Sequence, residues 1–157
     1  KGTLEEFLTE VKSNPKAMPY KTSNEVIDAF NGILTKIEPK LKTMFSVTPK
    51  TGFEIRQTEK FREATASAEY IQGTPDGKRK GIFYIPIPDP TKINVTSGME
   101  SLFLHEAIPG HHYQVSLQQE NTTIPKFMRF GWFGAYGEGW AHYCETLGPE
   151  LGLYTDT

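Results

Sequence analysis

The chain has 157 residues and a formal net charge of −2, with 19 acidic residues against 17 basic ones. This near-balance argues against a nucleic-acid-binding protein, which usually carries a strong basic excess. Hydrophobic residues make up 37% of the chain, which suffices for a core. The chain contains no run of roughly 18 apolar residues, the length that a membrane-spanning helix needs. The only cysteine, Cys144, excludes an internal disulfide and a cysteine-based zinc cage. We therefore expect residues 1–157 to form one partial globular domain.

Residues 1–45 are predicted to be helical. Apolar residues recur at helical spacing from Leu4 to Val11, and residues 22–25 (Thr-Ser-Asn-Glu) form a capping box that opens a second amphipathic run. Pro39 is expected to end or kink this second helix, because it has no backbone N–H to donate.

Residues 46–90 are predicted to form a small antiparallel sheet. Three segments have strand patterns: residues 53–56, 68–71 and 81–87. The turn signal at residues 74–77 (Thr-Pro-Asp-Gly) predicts a hairpin between the last two. Pro86 and Pro88 indicate that the last strand lies at the edge of the sheet, where an extended peptide substrate could pair with it. With helices before and after the sheet, the predicted fold class is α+β, predominantly helical.

Residues 97–157 are predicted to be helices that carry a metal site. A capping box at residues 97–100 opens the first of them. Its apolar face, which includes Leu102 and Phe103, is continued by Glu106. A carboxylate in such a position is costly unless it is paired, protonated or near a metal.

Chemically active side chains concentrate in two segments. His105, His111 and His112 lie within eight residues of one another, next to Glu106. A later helix places Glu138, His142 and Glu145 on one face, together with the small Ala141. Two neutral imidazoles and a carboxylate bind Zn²⁺ with a fourth position open for water, and a neighbouring glutamate can take a proton from that water. The two segments therefore predict a zinc site.

The spacing within the first segment requires a break in the helix. The fourth residue after His105 is Pro109, whereas His-Glu-x-x-His zinc motifs place their second histidine there. His111 and His112 follow at six and seven residues, so an unbroken helix brings neither one onto the metal. We expect the break at Pro109 and Gly110.

Residues 105–114 (His-Glu-Ala-Ile-Pro-Gly-His-His-Tyr-Gln) and 138–145 (Glu-Gly-Trp-Ala-His-Tyr-Cys-Glu) resemble the motifs of the bacterial domain of unknown function 885 family. The resemblance extends from about residue 45 onward. That family is grouped with gluzincin-type zinc metallopeptidases, such as thimet-oligopeptidase-like and Taq-carboxypeptidase-like enzymes. The resemblance implies a portion of a larger zincin-like fold, completed by the rest of a parent chain. It also implies a bacterial cell-envelope or secreted location and leaves a cytoplasmic one open.

The resemblance also implies roles for individual residues. The metal is Zn²⁺, held by His105, by His111 or alternatively His112, and by Glu138. Glu106 is the general base of peptide hydrolysis. Glu145 supports a ligand from outside the coordination sphere, and His142 is grouped with it, although its role is open.

Two other functions remain open at this stage. One is a non-catalytic helical interaction domain whose metal site is structural or vestigial. The other is a carboxylate-bridged di-iron or di-manganese bundle, which normally uses two Glu-x-x-His pairs. The nearest match here, Glu138 and His142, has a spacing of four residues.

Overall fold

The protein is described by a computed structural model, which covers residues 2–14, 16–94 and 97–155, except for the side chains of Lys12 and Ser97. The capping box predicted at residues 97–100 depends on the Ser97 side chain and so lies outside the described residues. The helices are α1 (Leu4–Ser13), α2 (Ser23–Met44), α3 (Ser97–Glu106), α4 (His111–Glu120), α5 (Lys126–Phe130), α6 (Gly134–Glu145) and α7 (Gly148–Leu151). The strands are β1 (Phe53–Gln57), β2 (Glu69–Ile71) and β3 (Gly81–Ile85). The fold is α+β and predominantly helical, as predicted.

Helix α2 begins where the sequence predicts and does not end at Pro39. The Thr22 hydroxyl accepts the Glu25 backbone N–H, and the Glu25 carboxylate accepts the Thr22 N–H, so the capping box is complete. The helix continues through Pro39 to Met44. Ile37 and Leu41 are buried on either side of the proline, so packing holds the helix together across it.

The sheet is mixed rather than wholly antiparallel, which corrects the sequence prediction. Its order is β1-β3-β2, with β3 parallel to β1 and antiparallel to β2. The predicted β2–β3 hairpin is present, and Gly77 occupies the left-handed region of its turn with φ 72°. Strand β3 then inserts between β1 and β2, and this arrangement depends on contacts distant in sequence.

The prediction that the strand at residues 81–87 lies at an edge was therefore wrong. Strand β3 has a hydrogen-bonded neighbour on each side, and the two outer strands are β1 and β2. The strand ends at Ile85, so Pro86 lies beyond the ladder and removes no hydrogen bond from it. A substrate peptide could pair with an outer strand but not with β3.

The core lies between β3 and the helices α2 and α3. Phe83 in β3 is fully buried, and its ring meets Phe30 of α2 edge-on at 5.6 Å and Phe103 of α3 at 6.4 Å. Such aromatic contacts add to the stabilisation from burial. They fix α3, whose C-terminal end carries His105 and Glu106, against the sheet.

Candidate metal centre

A turn of residues 107–110 separates α3 from α4 and includes Pro109 and Gly110, where the sequence predicts a break. The Ile108–Pro109 peptide bond is cis. At Gly110, a Cβ atom would lie 1.9 Å from the carbonyl oxygen of His105, so the chain passes too close to the end of α3 for any side chain. Helix α4 begins at the next residue, His111, whose ring centroid lies 4.7 Å from that of His105.

Helix α6 packs against both α3 and α4 and carries Glu138 to the histidines. Its contact face includes Ala141, which is fully buried and small enough to allow close approach. The indole N–H of Trp140 donates to the carbonyl oxygen of Pro109 at 2.8 Å, which ties α6 to the turn. The consecutive helices α3 and α4 and the more distant α6 therefore meet at one point.

Nitrogen and oxygen atoms of His105, His111 and Glu138 converge at this point. The Glu138 Oε2 atom lies 3.3 Å from Nε2 of His105 and 3.5 Å from Nε2 of His111. The three ligand atoms all lie within 4.8 Å of one another. Ligand atoms about 2.0–2.2 Å from a tetrahedral Zn²⁺ are separated by roughly 3.3–3.6 Å. The donor set, two imidazole nitrogens and one carboxylate oxygen, therefore fits a zinc ion in type, and both distances from Glu138 Oε2 fall in this range.

The Glu145 carboxylate contacts the His105 ring on the side opposite the cluster. The Glu145 carboxylate contacts Nδ1 of His105 at 2.9 Å and accepts the Ser101 hydroxyl at 2.6 Å. Burial alone would raise the pKa of Glu145, but its hydrogen bonds to Ser101, His105 and His142 outweigh it and lower the pKa. An ionised Glu145 fixes the orientation of the His105 ring, which leaves Nε2 directed at Glu138.

The other two histidines lie outside the cluster. His112 is buried, and its Nδ1 contacts the Tyr70 hydroxyl at 2.9 Å rather than Glu138. His142 is exposed, and its Nδ1 lies 3.3 Å from the Glu145 carboxylate rather than beside Glu138. Of the two histidines between which the sequence left a choice, His111 is the one that the structure places beside His105.

The pKa shifts of Glu106 and His111 suit a base next to a metal ligand. Burial raises the pKa of Glu106 to about 7, and the nearby Glu138 carboxylate contributes in the same direction, against the opposing effects of His105 and of the Tyr70 backbone N–H. Burial also lowers the pKa of His111, which favours the neutral imidazole that a metal requires. The buried Nδ1 of His111 has no hydrogen-bond partner among the described residues.

Glu106 and the three cluster residues line one pocket of about 470 Å³. Strand β2 and the segments around it form one wall, and Trp132, whose ring centroid lies 5.5 Å from that of His111, forms another. Sequence reasoning missed Tyr70 and Trp132, because nothing in their local pattern indicates the site. Ser101 could have been found, since it precedes His105 by one helical turn and both contact Glu145.

The fold and the site together define a predominantly helical α+β protein with a His–His–Glu cluster that could hold a metal ion. The family model described as "Bacterial protein of unknown function (DUF885)" matches residues 1–157, and the chain belongs to that family. No curated protein matches the chain.

Among solved structures, the chain is similar to one described as "the putative lipoprotein from Colwellia psychrerythraea", with 29% sequence identity and a TM-score of 0.88. The match covers 99% of this chain and 27% of that one, so the chain spans about a quarter of its solved relative. No helix in the described ranges is long and apolar enough to cross a bilayer.

Proposed function

We propose that the protein is a zinc-dependent hydrolase that cleaves peptide bonds, with His105, His111 and Glu138 as metal ligands and Glu106 as general base. The observation that carries this proposal is the convergence of the three ligand atoms within 4.8 Å of one another. The kinship with gluzincin-type peptidases, which the two motifs imply, is part of the same proposal. Because the chain spans about a quarter of its solved relative, the activity is proposed for the whole protein.

Each residue has a defined task in the proposed reaction. Bound zinc would polarise the scissile carbonyl and lower the pKa of water toward neutrality. Glu106 accepts the proton of that water and passes it to the departing amine, a role suited to a carboxyl whose pKa lies near 7. Glu145 keeps the His105 ring in the orientation that binding requires.

The outer strand β2 is the proposed binding edge for the peptide. Ala68, Glu69, Tyr70 and Gln72 line the pocket beside Glu106. Strand β2 pairs with β3 on one side, and no other strand of the described residues pairs with its outer side. A substrate laid along β2 would therefore run past the base and the metal ligands. This replaces the assignment to residues 81–87.

The rival functions make different demands on the same residues. A di-iron or di-manganese centre needs several carboxylates that bridge the two metals. The His–His–Glu group identified among the described residues has one carboxylate. A structural metal site would bind zinc without hydrolysing peptides.

A cell-envelope location is also a proposal, supported by the solved relative's description as a lipoprotein.

The test combines metal analysis with a cleavage assay on the complete protein. Elemental analysis should find one zinc per chain, and a peptide library should be hydrolysed. The Glu106→Gln variant should retain zinc and lose about 10²–10⁴-fold in kcat, because the amide keeps the shape of the carboxyl but cannot accept the proton. Full zinc occupancy without any hydrolysis would leave only the structural reading, and two irons per chain would favour the bundle.

A further inference from the structure

Trp132 forms a wall of the metal pocket without being one of the proposed ligands. It lies in the segment between α5 and α6, and its ring meets that of His111 at a centroid distance of 5.5 Å and an angle of 67°. Despite this contact the side chain is 57% exposed. A large aromatic ring that stays exposed beside a proposed ligand offers its surface to a molecule bound in the pocket.

Helix α6 defines the position of this ring. A Cβ atom at Gly137 would lie 2.3 Å from Cη2 of Trp132, so the indole occupies the space that a side chain at residue 137 would need. Glycine within a helix is destabilising relative to alanine, and here it lets the indole pack directly on the helix. Because Gly137 immediately precedes the proposed ligand Glu138, the ring is held next to the metal centre.

Other apolar side chains line the same pocket. Val115 follows His111 by four residues, so both side chains face the pocket from one side of α4. Ala68, the residue before β2, lines it as well. The pocket therefore combines the metal centre with apolar surface that a substrate side chain can cover.

The charged side chains that line the pocket already have a partner or a proposed task. No lysine or arginine is among the described residues of its lining, which includes three carboxylates. Glu138 is a proposed ligand, and Glu106 is the proposed base. The third carboxylate, Glu69, forms a salt bridge with the Arg62 guanidinium. The lining thus favours an uncharged substrate side chain over a charged one.

We infer that Trp132 is the wall of a subsite that binds an apolar, preferably aromatic, side chain of the substrate. The inference rests on the proposed function and names its substrate class: peptides with a large apolar residue flanking the cleaved bond. The residue flanks that bond because Trp132 contacts the ring of His111, a ligand of the metal that would polarise the scissile carbonyl. Trp132 touches the substrate side chain and not the reacting atoms, so it determines specificity rather than chemistry.

The kinetic test uses the complete zinc-loaded protein and peptides that differ only in a residue flanking the cleaved bond. Phenylalanine, alanine, lysine and glutamate are placed on each side of that bond in turn, and kcat/KM should be highest for a phenylalanine peptide. Trp132→Ala should lower the ratio of kcat/KM between the phenylalanine and alanine peptides about tenfold, because the substrate ring loses its aromatic partner. Trp132→Phe should keep most of the ratio. A lysine or glutamate peptide that is cleaved best would overturn the inference.

The neighbouring aromatic residue provides a matched control. Phe133 follows Trp132 directly and is 51% exposed, but it lines a separate groove instead of the metal pocket. Phe133→Ala should leave the ratio between the two peptides unchanged. The ratio compares two substrates on one preparation, so it does not depend on the fraction of folded protein. An equal loss of the ratio in Phe133→Ala would assign the effect to loosening of the segment and overturn the inference.

A second measurement needs no activity. The complete protein is labelled with fluorotryptophan, and the fluorine NMR signal of Trp132 is assigned by its absence in Trp132→Phe. N-acetyl-phenylalaninamide should shift this signal saturably, and N-acetyl-alaninamide should not. The signal of Trp140, whose indole N–H donates to Pro109, should stay in place. If the Trp132 signal responds in a protein that hydrolyses no peptide, the proposed function fails and the apolar subsite stands. An active protein whose Trp132 signal does not respond would show that the subsite assignment is wrong.

Discussion

Helix α4 separates two concave surfaces that differ in chemistry. The metal pocket, of about 470 Å³, contains His111, Glu106 and Glu138. The surface on the other side is a groove of about 770 Å³, lined by residues such as Leu117 and Tyr136, and none of the described residues that line it is charged. The groove is the larger of the two, yet only the pocket brings titratable side chains together. Convergent chemistry, rather than volume, therefore identifies the candidate site.

The two surfaces differ in chemistry because they are lined by opposite faces of α4 and α6. In α4, His111 and Val115 face the pocket, whereas Gln114 and Leu117 face the groove. Helix α6 divides in the same way. The two surfaces share a wall, so substitutions on either side of it can separate the function of the pocket from the stability of the helices.

Removal of a proposed ligand should have the largest effect on metal binding. Glu138→Ala leaves two histidines, and we expect zinc affinity to fall by more than about 100-fold, beyond the 10–100-fold typical of residues that only support a ligand. Competition titration with a chromogenic chelator measures this change. The control is Glu150→Ala, an exposed acid of α7, which should bind zinc like the unmodified protein. Equal losses in the two variants would refute the ligand assignment.

Removal of the carboxylate behind His105 should have a smaller effect. In Glu145→Ala the ring loses the contact at Nδ1, so it can rotate away from Glu138. We expect a 10–100-fold loss of zinc affinity in the same titration. Unchanged affinity would mean that packing alone orients the ring, and that Glu145 serves another purpose.

Local chemistry explains which features could be predicted from the sequence. The capping box at residues 22–25 and the turn at residues 74–77 depend on neighbouring residues, and both are present. The break at Pro109 and Gly110 was predictable because proline lacks an N–H and ligand spacing required a bend. Those features needed no knowledge of the tertiary structure.

The features that could not be predicted depend on contacts between distant segments. The insertion of β3 between β1 and β2 follows from packing of the sheet against α2 and α3, which no local pattern records. The sequence could not decide between His111 and His112 for the same reason. The His112 ring contacts the hydroxyl of Tyr70, a residue 42 positions earlier whose strand pattern indicates nothing about the site.

The buried base should also affect stability in the metal-free protein. Because burial raises the pKa of Glu106 to about 7, the folded protein holds this proton more tightly than the unfolded chain does. The stabilisation is complete below the unfolded pKa of about 4.5 and is lost as the pH rises through 7. Relative to Glu106→Gln, the unmodified protein should therefore lose about 3 kcal/mol of unfolding free energy between pH 4 and pH 8. Urea titrations of both proteins at several pH values measure this, and a difference that does not change with pH would contradict it.

The smallest effect should come from the groove side of the shared wall. Tyr136 lies two residues before Glu138 in α6, but its side chain lines the groove and is 58% exposed. Tyr136→Ala should change zinc affinity by less than about twofold, because the carboxylate that contacts a ligand ring belongs to Glu145 and the Tyr136 side chain lines the groove. It should change the unfolding free energy by about 0.5 kcal/mol at most, as expected for an exposed position. The same chelator titration and a urea titration test both statements. A loss of zinc affinity as large as that in Glu145→Ala would mean that the groove and the pocket act as one site across α6, and the separation of the two surfaces would then be wrong.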